Sequence, residues 1–158
     1  IVIVNLARGV LGADTSNLLA GLLLQTIALA AMSRQSLPSG ERRPCHLYLD
    51  EFEHFLTPGT AGMLSEVRKV GLSVTLANQY LYQLDSNVRA AIMGNVGTII
   101  SFRVGPEDAR TLSRHFEGID EIDFQNLPNQ CLVVRMMIDG EPSRAFSGSA
   151  KRPDGFFF

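Results

Sequence analysis

The residues most suggestive of chemistry stand at the end of an apolar run. His46-Leu47-Tyr48-Leu49 leads directly into two adjacent carboxylates, Asp50 and Glu51. In open α/β sheets, ligands bind at the carboxyl ends of the strands. Nucleotide hydrolysis needs an Asp there to hold Mg²⁺, usually through water, and a neighbouring carboxylate to orient or deprotonate the attacking water. Asp50 and Glu51 suit those roles in that order. A solvated Asp-Glu turn also ends many ordinary strands, so the dipeptide alone does not decide. Other titratable residues carry less. His54 and His115 have no second ligand at helical or hairpin spacing and read as structural. Cys45 and Cys131 lie far apart in sequence, form no metal-ligand cluster, and read as buried apolar thiols.

The elements that must position the acidic pair follow from periodicity. Short β-branched runs alternate with helical patterns, the mark of βα units around a largely parallel sheet. Strands are expected over Ile1 to Asn5, His46 to Leu49, Ser73 to Ala77, Thr98 to Arg103 and Gln130 to Met137. The last continues across the Asp139-Gly140 turn into Pro142 to Ser147 as an antiparallel hairpin. A long apolar helix runs to about Arg34, with Asp14, Thr15 or Ser16 as its cap. Thr57-Pro58, Gly59 and Gly62 suggest a turn after the acidic strand. Further helices are expected from about Gly62 to Val70, ended by Gly71, and from about Asn87 to Met93, ended by Gly94. Pro106 opens another, with Glu107 and Asp108 at its positive end and Ala109, Leu112 and Phe116 as its buried stripe.

Composition bounds the function. The chain has 158 residues, 46% of them hydrophobic and 19% charged, enough for one domain over 1–150 and a short tail over 151–158. A formal net charge of −2 gives no global drive toward nucleic acid, so any such contact is local. Arg34, Arg42, Arg43, Arg89, Arg103, Arg110 and Arg114 are candidates for it. They are interleaved with acids and lack an aromatic stacking platform, so most read as solvated charge. The apolar stretch Leu18 to Met32 is shorter than the roughly 20 residues a bilayer span requires, contains Gln25 and Thr26, and is expected to be a helix buried on most sides.

The segments downstream of the acidic pair give it context. Glu66-Val67-Arg68-Lys69-Val70-Gly71 precedes a strand that ends in Ala77-Asn78-Gln79. With Asn5-Leu6-Ala7-Arg8-Gly9, Leu47-Tyr48-Leu49-Asp50-Glu51-Phe52, Gln83-Leu84 and Gly94-Asn95-Val96-Gly97-Thr98, this order resembles the RecA-like hexameric pumping ATPases. The likeness is to the TraG/TraD coupling proteins of conjugation and type IV secretion in particular, with HerA and FtsK translocases as relatives. It covers most of the chain. It implies that Asp50 and Glu51 form a Walker B motif with Asp50 toward Mg²⁺, that Gln79 senses the γ-phosphate, and that Arg68 reaches a neighbouring subunit's nucleotide. A planar, permanently charged guanidinium suits that last task. The residues alone leave Arg68 equally readable as a solvated helix arginine and Gln79 as a satisfier of loop backbone.

The resemblance further implies a hexameric ring, ATP and Mg²⁺ as cofactors, DNA as partner, and a place on the cytoplasmic face of a bacterial inner membrane. It also implies a separable role, docking of a relaxosome protein of the TraM kind, for which Tyr80, Leu81 and Tyr82 or the terminal phenylalanines are the candidate patch. One part of a complete ATPase is missing. No GxxxxGK[ST] loop occurs, and neither lysine, Lys69 nor Lys151, stands in a glycine-rich cradle. The chain therefore reads as the C-terminal half of a RecA-like domain, expected to bind ATP poorly and hydrolyse none by itself.

Overall fold

The computed structural model describes residues 1–151. The expected Phe-rich tail lies outside them, apart from Lys151. Two compact units divide the chain, Ile1–Asn95 and Val96–Phe158.

In the first unit, a short helix α1 (Arg8–Leu11) leads into the long helix α2 (Ala13–Met32). None of the three expected caps is used. Gly12, at φ 80°, precedes the helix, and the Ser16 hydroxyl instead donates to the Leu6 carbonyl at 2.9 Å. Glycine suits that position because left-handed φ costs it no Cβ clash. After α2 the linker is tied down by two arginines. Arg42 donates to the carbonyls of Leu37, Lys69 and Gln35, and Arg34 to that of Arg43. These candidate nucleic-acid contacts thus serve the backbone.

Strands β1 (Cys45–Leu49) and β2 (Leu72–Leu76) pair in parallel, with Leu49 opposite Leu76. Between them, α3 (Pro58–Val67) starts earlier than expected. Thr57 and Thr60 form a capping box with proline in the first turn, so Gly59 and Gly62 lie inside a helix where a turn was expected. A tighter turn, Arg68–Val70, ends as expected at Gly71, whose φ is 82°. Helix α4 (Ser86–Asn95) is capped by the Asp85 carboxylate, which accepts from the amides of Asn87 and Val88, and it runs through Gly94.

The core of this unit joins Ala28 and Ala31 of α2 with Val67, Val70 and Leu72, and Leu47 and Val74 pack against them. Both strands alternate, with His46, Tyr48, Ser73 and Thr75 exposed on the other face. The expected opening strand is absent, since Ile1–Val4 are exposed and lack ladder partners. A strand needs a neighbour to satisfy its amides, and among the described residues β1 and β2 pair only with each other. Helix α2 is also less covered than expected. Ala20, Leu24, Ala28 and Ala31 are buried, whereas Leu18, Leu22 and Leu29 are exposed. With its following turn it is long and apolar enough to cross a membrane by length and composition, so the length argument against a span fails.

The second unit contains β3 (Ile99–Ser101), α5 (Pro106–Ser113), α6 (Glu121–Asn126), β4 (Cys131–Arg135), β5 (Met137–Ile138), β6 (Glu141–Pro142) and β7 (Phe146–Ser149). The antiparallel order β3-β4-β7 puts β4 in the middle, with Val133 and Val134 both buried. At the tip, β5 and β6 meet across Asp139 (φ 51°) and Gly140 (φ 89°), the two positive φ values that a type I′ hairpin turn requires. Helix α5 carries Ala109 and Leu112 of the expected stripe, and Phe116 follows in the turn after it, all three buried. Phe116 meets Phe124 edge to face at 5.2 Å. Both cysteines are half-buried free thiols, less covered than expected. The α/β architecture, with its parallel pair and C-terminal antiparallel hairpin, is the one expected.

Candidate functional site

Parallel pairing puts the ends of β1 and β2 side by side, and the residues just beyond them converge. The Ala77 amide donates to the Leu49 carbonyl at 2.8 Å, and the Phe52 amide to the Ala77 carbonyl at 3.4 Å. Between these two bonds the chain makes a sharp bend. Glu51 sits in the left-handed region at φ 49°, ψ 43°, and its amide donates to Asp50 Oδ1 at 3.1 Å. A non-glycine residue is strained in that conformation, and such residues concentrate at functional sites. Phe52, only 2% exposed, anchors the 3₁₀ turn Phe52–His54 on the far side of the bend. The fold thus buries an aromatic in order to hold a solvated carboxylate on a bent backbone.

Gln79, just beyond β2, reaches across to this carboxylate. Its Nε2 donates to Glu51 Oε1 at 3.2 Å. Two of the residues singled out in the sequence, 28 positions apart, are therefore in direct contact. The other carboxylate oxygen, Oε2, lies 4.0 Å from His54 Nε2. His54 is held in turn by its backbone. Its amide donates to the Glu51 carbonyl at 3.2 Å, and the Asn17 side-chain amide, oriented nitrogen inward, donates to its carbonyl at 3.1 Å. Sequence reasoning left His54 structural. The signal that it lies near the site is its place three residues after Glu51, which becomes proximity only because the chain turns there.

Arg68 is not brought to this cluster. It sits on the turn before β2, whereas Gln79 lies after β2, so the two flank opposite ends of the strand. Its side chain is exposed and has no hydrogen-bond or ion-pair partner among the described residues. Tyr80 and Tyr82 come next after Gln79, both exposed, with ring centroids 5.6 Å apart.

The donor set limits what could be held here. No group of three His, Cys, Asp or Glu side chains able to chelate a metal occurs among the described residues. A lone carboxylate with spare acceptor capacity, such as Asp50, fits a Mg²⁺ ion completed by water and phosphate oxygens, and does not fit a metal that needs a protein cage. Asp50 and Glu51 are both exposed, so a ligand has access to them.

Comparison with known proteins bears on the fold. Residues 44–116 match the family described as the TraM recognition site of TraD and TraG. That span contains Asp50, Glu51, Arg68 and Gln79. A search of curated proteins gave no match. Among solved structures, the unbound conjugative coupling protein TrwB matches with a TM-score of 0.70 at 16% identity, over 88% of this chain and 38% of that one. TrwB in complex with the non-hydrolysable ATP analogue ADPNP matches with a TM-score of 0.69 at 16% identity, over 88% and 37%. The genome-packaging NTPase B204 of Sulfolobus turreted icosahedral virus 2, in complex with AMPPCP, gives a TM-score of 0.52 at 19% identity, over 77% and 57%. The chain spans less than two fifths of the TrwB chains it matches. In sequence over residues 44–116 and in fold over most of its length, it resembles a segment of the TraG/TraD and TrwB type of coupling protein.

Proposed function

We propose that this chain supplies the hydrolytic half of an ATP-driven DNA-translocating coupling protein, and that its residues act when joined to a phosphate loop on the same polypeptide. The observation that carries the reading is the 3.2 Å hydrogen bond from Gln79 to Glu51, which links the ends of two parallel strands at the edge where α/β sheets bind ligands. In this role Asp50 would hold Mg²⁺ through water, and that ion would supply charge to offset the phosphate oxygens. Glu51 orients the attacking water and accepts its proton. The Gln79 amide carries two N–H donors, and swinging that side chain toward a γ-phosphate would break the bond it now makes to Glu51 Oε1.

Arg68, unpaired among the described residues and remote from the cluster, suits action on a neighbouring subunit's nucleotide in a hexameric ring. DNA in the ring and a position on the cytoplasmic face of an inner membrane belong to the same reading. Glu51→Gln in the intact, phosphate-loop-containing protein should keep ATP binding and lose DNA-stimulated hydrolysis. Normal turnover would refute the role.

A second reading concerns docking. The span matched by the TraM recognition site family includes the exposed pair Tyr80 and Tyr82, an apolar patch with polar tips of the kind enriched in binding interfaces. In this reading the patch takes a TraM-like relaxosome protein. Loss of capture of that protein by a Tyr80→Ala/Tyr82→Ala variant, with hydrolysis unchanged, would support it. Undiminished capture would remove it.

A further inference from the structure

We infer that His54 is a positioning residue for Glu51, holding its carboxylate in place when Gln79 lets go. The inference rests on the proposed hydrolytic role of Glu51 and adds a group to that site. Three observations carry it. First, Gln79 engages only Oε1 of Glu51, while His54 Nε2 faces Oε2 at 4.0 Å. That distance is too long for a hydrogen bond but within reach of one after a small change of side-chain torsion. Second, the side chain of His54 is 31% exposed while that of Glu51 is 51% exposed, so the imidazole is the more covered partner and the carboxylate keeps its access to water. Third, the backbone of His54 is fixed at both polar groups, by the Glu51 carbonyl and by Asn17 of α2. A side chain on so constrained a turn loses little further freedom when it is ordered.

The chemistry comes from counting donors. Glu51 holds a left-handed backbone and an exposed carboxylate, and its only side-chain donor at hydrogen-bond distance among the described residues is the Gln79 amide. If Gln79 turns to a γ-phosphate oxygen, Glu51 loses that restraint at the step where its direction matters most. His54 is the nearest group able to take over. An N–H on Oε2 would fix the carboxylate plane and leave Oε1, vacated by Gln79, to receive the water proton. His54 itself neither contacts the nucleotide nor accepts the proton.

The test uses the intact, phosphate-loop-containing protein and compares wild type, His54→Leu, His54→Gln and Glu51→Gln. His54→Leu removes the donor at similar size. Misdirecting a catalytic group by a fraction of an ångström to an ångström costs up to roughly a hundredfold, so a loss of about tenfold in kcat is expected, with KM for ATP and nucleotide affinity within about twofold of wild type. His54→Gln, which restores an N–H donor at similar reach, should recover most of the loss. Unchanged kcat in His54→Leu beside an inactive Glu51→Gln overturns the role of His54 and leaves that of Glu51 standing. Turnover by Glu51→Gln removes the reading on which both depend. Equal loss in His54→Leu and His54→Gln, with nucleotide affinity falling too, makes His54 merely structural and also overturns the inference. Should His54→Leu fail to fold, His54→Gln decides alone, since kcat more than about threefold below wild type would contradict it.

Discussion

The two units bury their apolar residues in different ways. In the second, β4 is flanked on both sides, Val133 and Val134 are both buried, and the Phe116–Phe124 pair closes the core. In the first, among the described residues, two parallel strands pair only with each other, His46 and Tyr48 are exposed on one face, and Leu18, Leu22 and Leu29 of α2 are exposed. The candidate site belongs to this less covered unit. A parallel pair delivers two chain ends to one edge, and that is what a site built from Asp50, Glu51 and Gln79 needs. Antiparallel neighbours such as β3 and β4 send their ends to opposite edges. Concentrated burial stabilises the second unit, while the first uses its backbone to bring strand ends together.

This contrast can be tested by substitution. Phe124→Ala should have the largest effect on stability. Its ring is fully buried, so truncation should cost about 3–5 kcal/mol, read as a lower denaturant midpoint for the second unit. A cost near zero would mean that the aromatic pair does not hold that core. The pH response of the same unit is smaller. Burial, then the charges of Arg135 and Arg114, holds the His115 pKa below its ordinary value. The folded state then binds fewer protons than the unfolded chain, so this contribution is complete above the ordinary imidazole value of about 6.5. It is lost as pH falls through the depressed folded value. His115→Gln should flatten that slope, and an unchanged slope would assign it to another group. Smallest of all, Leu22→Ser on the exposed side of α2 should shift the stability of this chain by no more than about 0.5 kcal/mol, whereas a comparable change at Ala28 or Leu24 should not be tolerated. A large loss at Leu22 would show that the outer face is covered.

Local chemistry explains which parts were legible in the sequence. Short apolar, β-branched runs gave β1 and β2 to within a residue, because such side chains suit a pleated, half-buried surface. Pro106 and the stripe after it gave α5, and Asp139-Gly140 gave the hairpin turn, since few residues accept two positive φ values. Contacts made through space were harder to read. The strand expected at Ile1 to Asn5 depends on a neighbour that β1 and β2 do not provide, and apolar character alone cannot report that. The start of α3 turned on a Thr57–Thr60 capping box, which outweighed the turn signal of Gly59 and Gly62. Within the site, Asp50 and Glu51 stood out by spacing, and the structure adds the contact between Glu51 and Gln79. His54 could not be placed beside Glu51 without the left-handed bend between them.

The most direct test of the central claim is single-turnover ATP hydrolysis by Gln79→Ala in the intact protein, measured beside its nucleotide affinity. If the Glu51–Gln79 pair is the hydrolytic centre, hydrolysis should slow by about a hundredfold or more while ATP still binds, as when a group acting mainly in the transition state is removed. Hydrolysis at the wild-type rate would mean that the contact between the two strand ends takes no part in the chemistry, and would contradict the account.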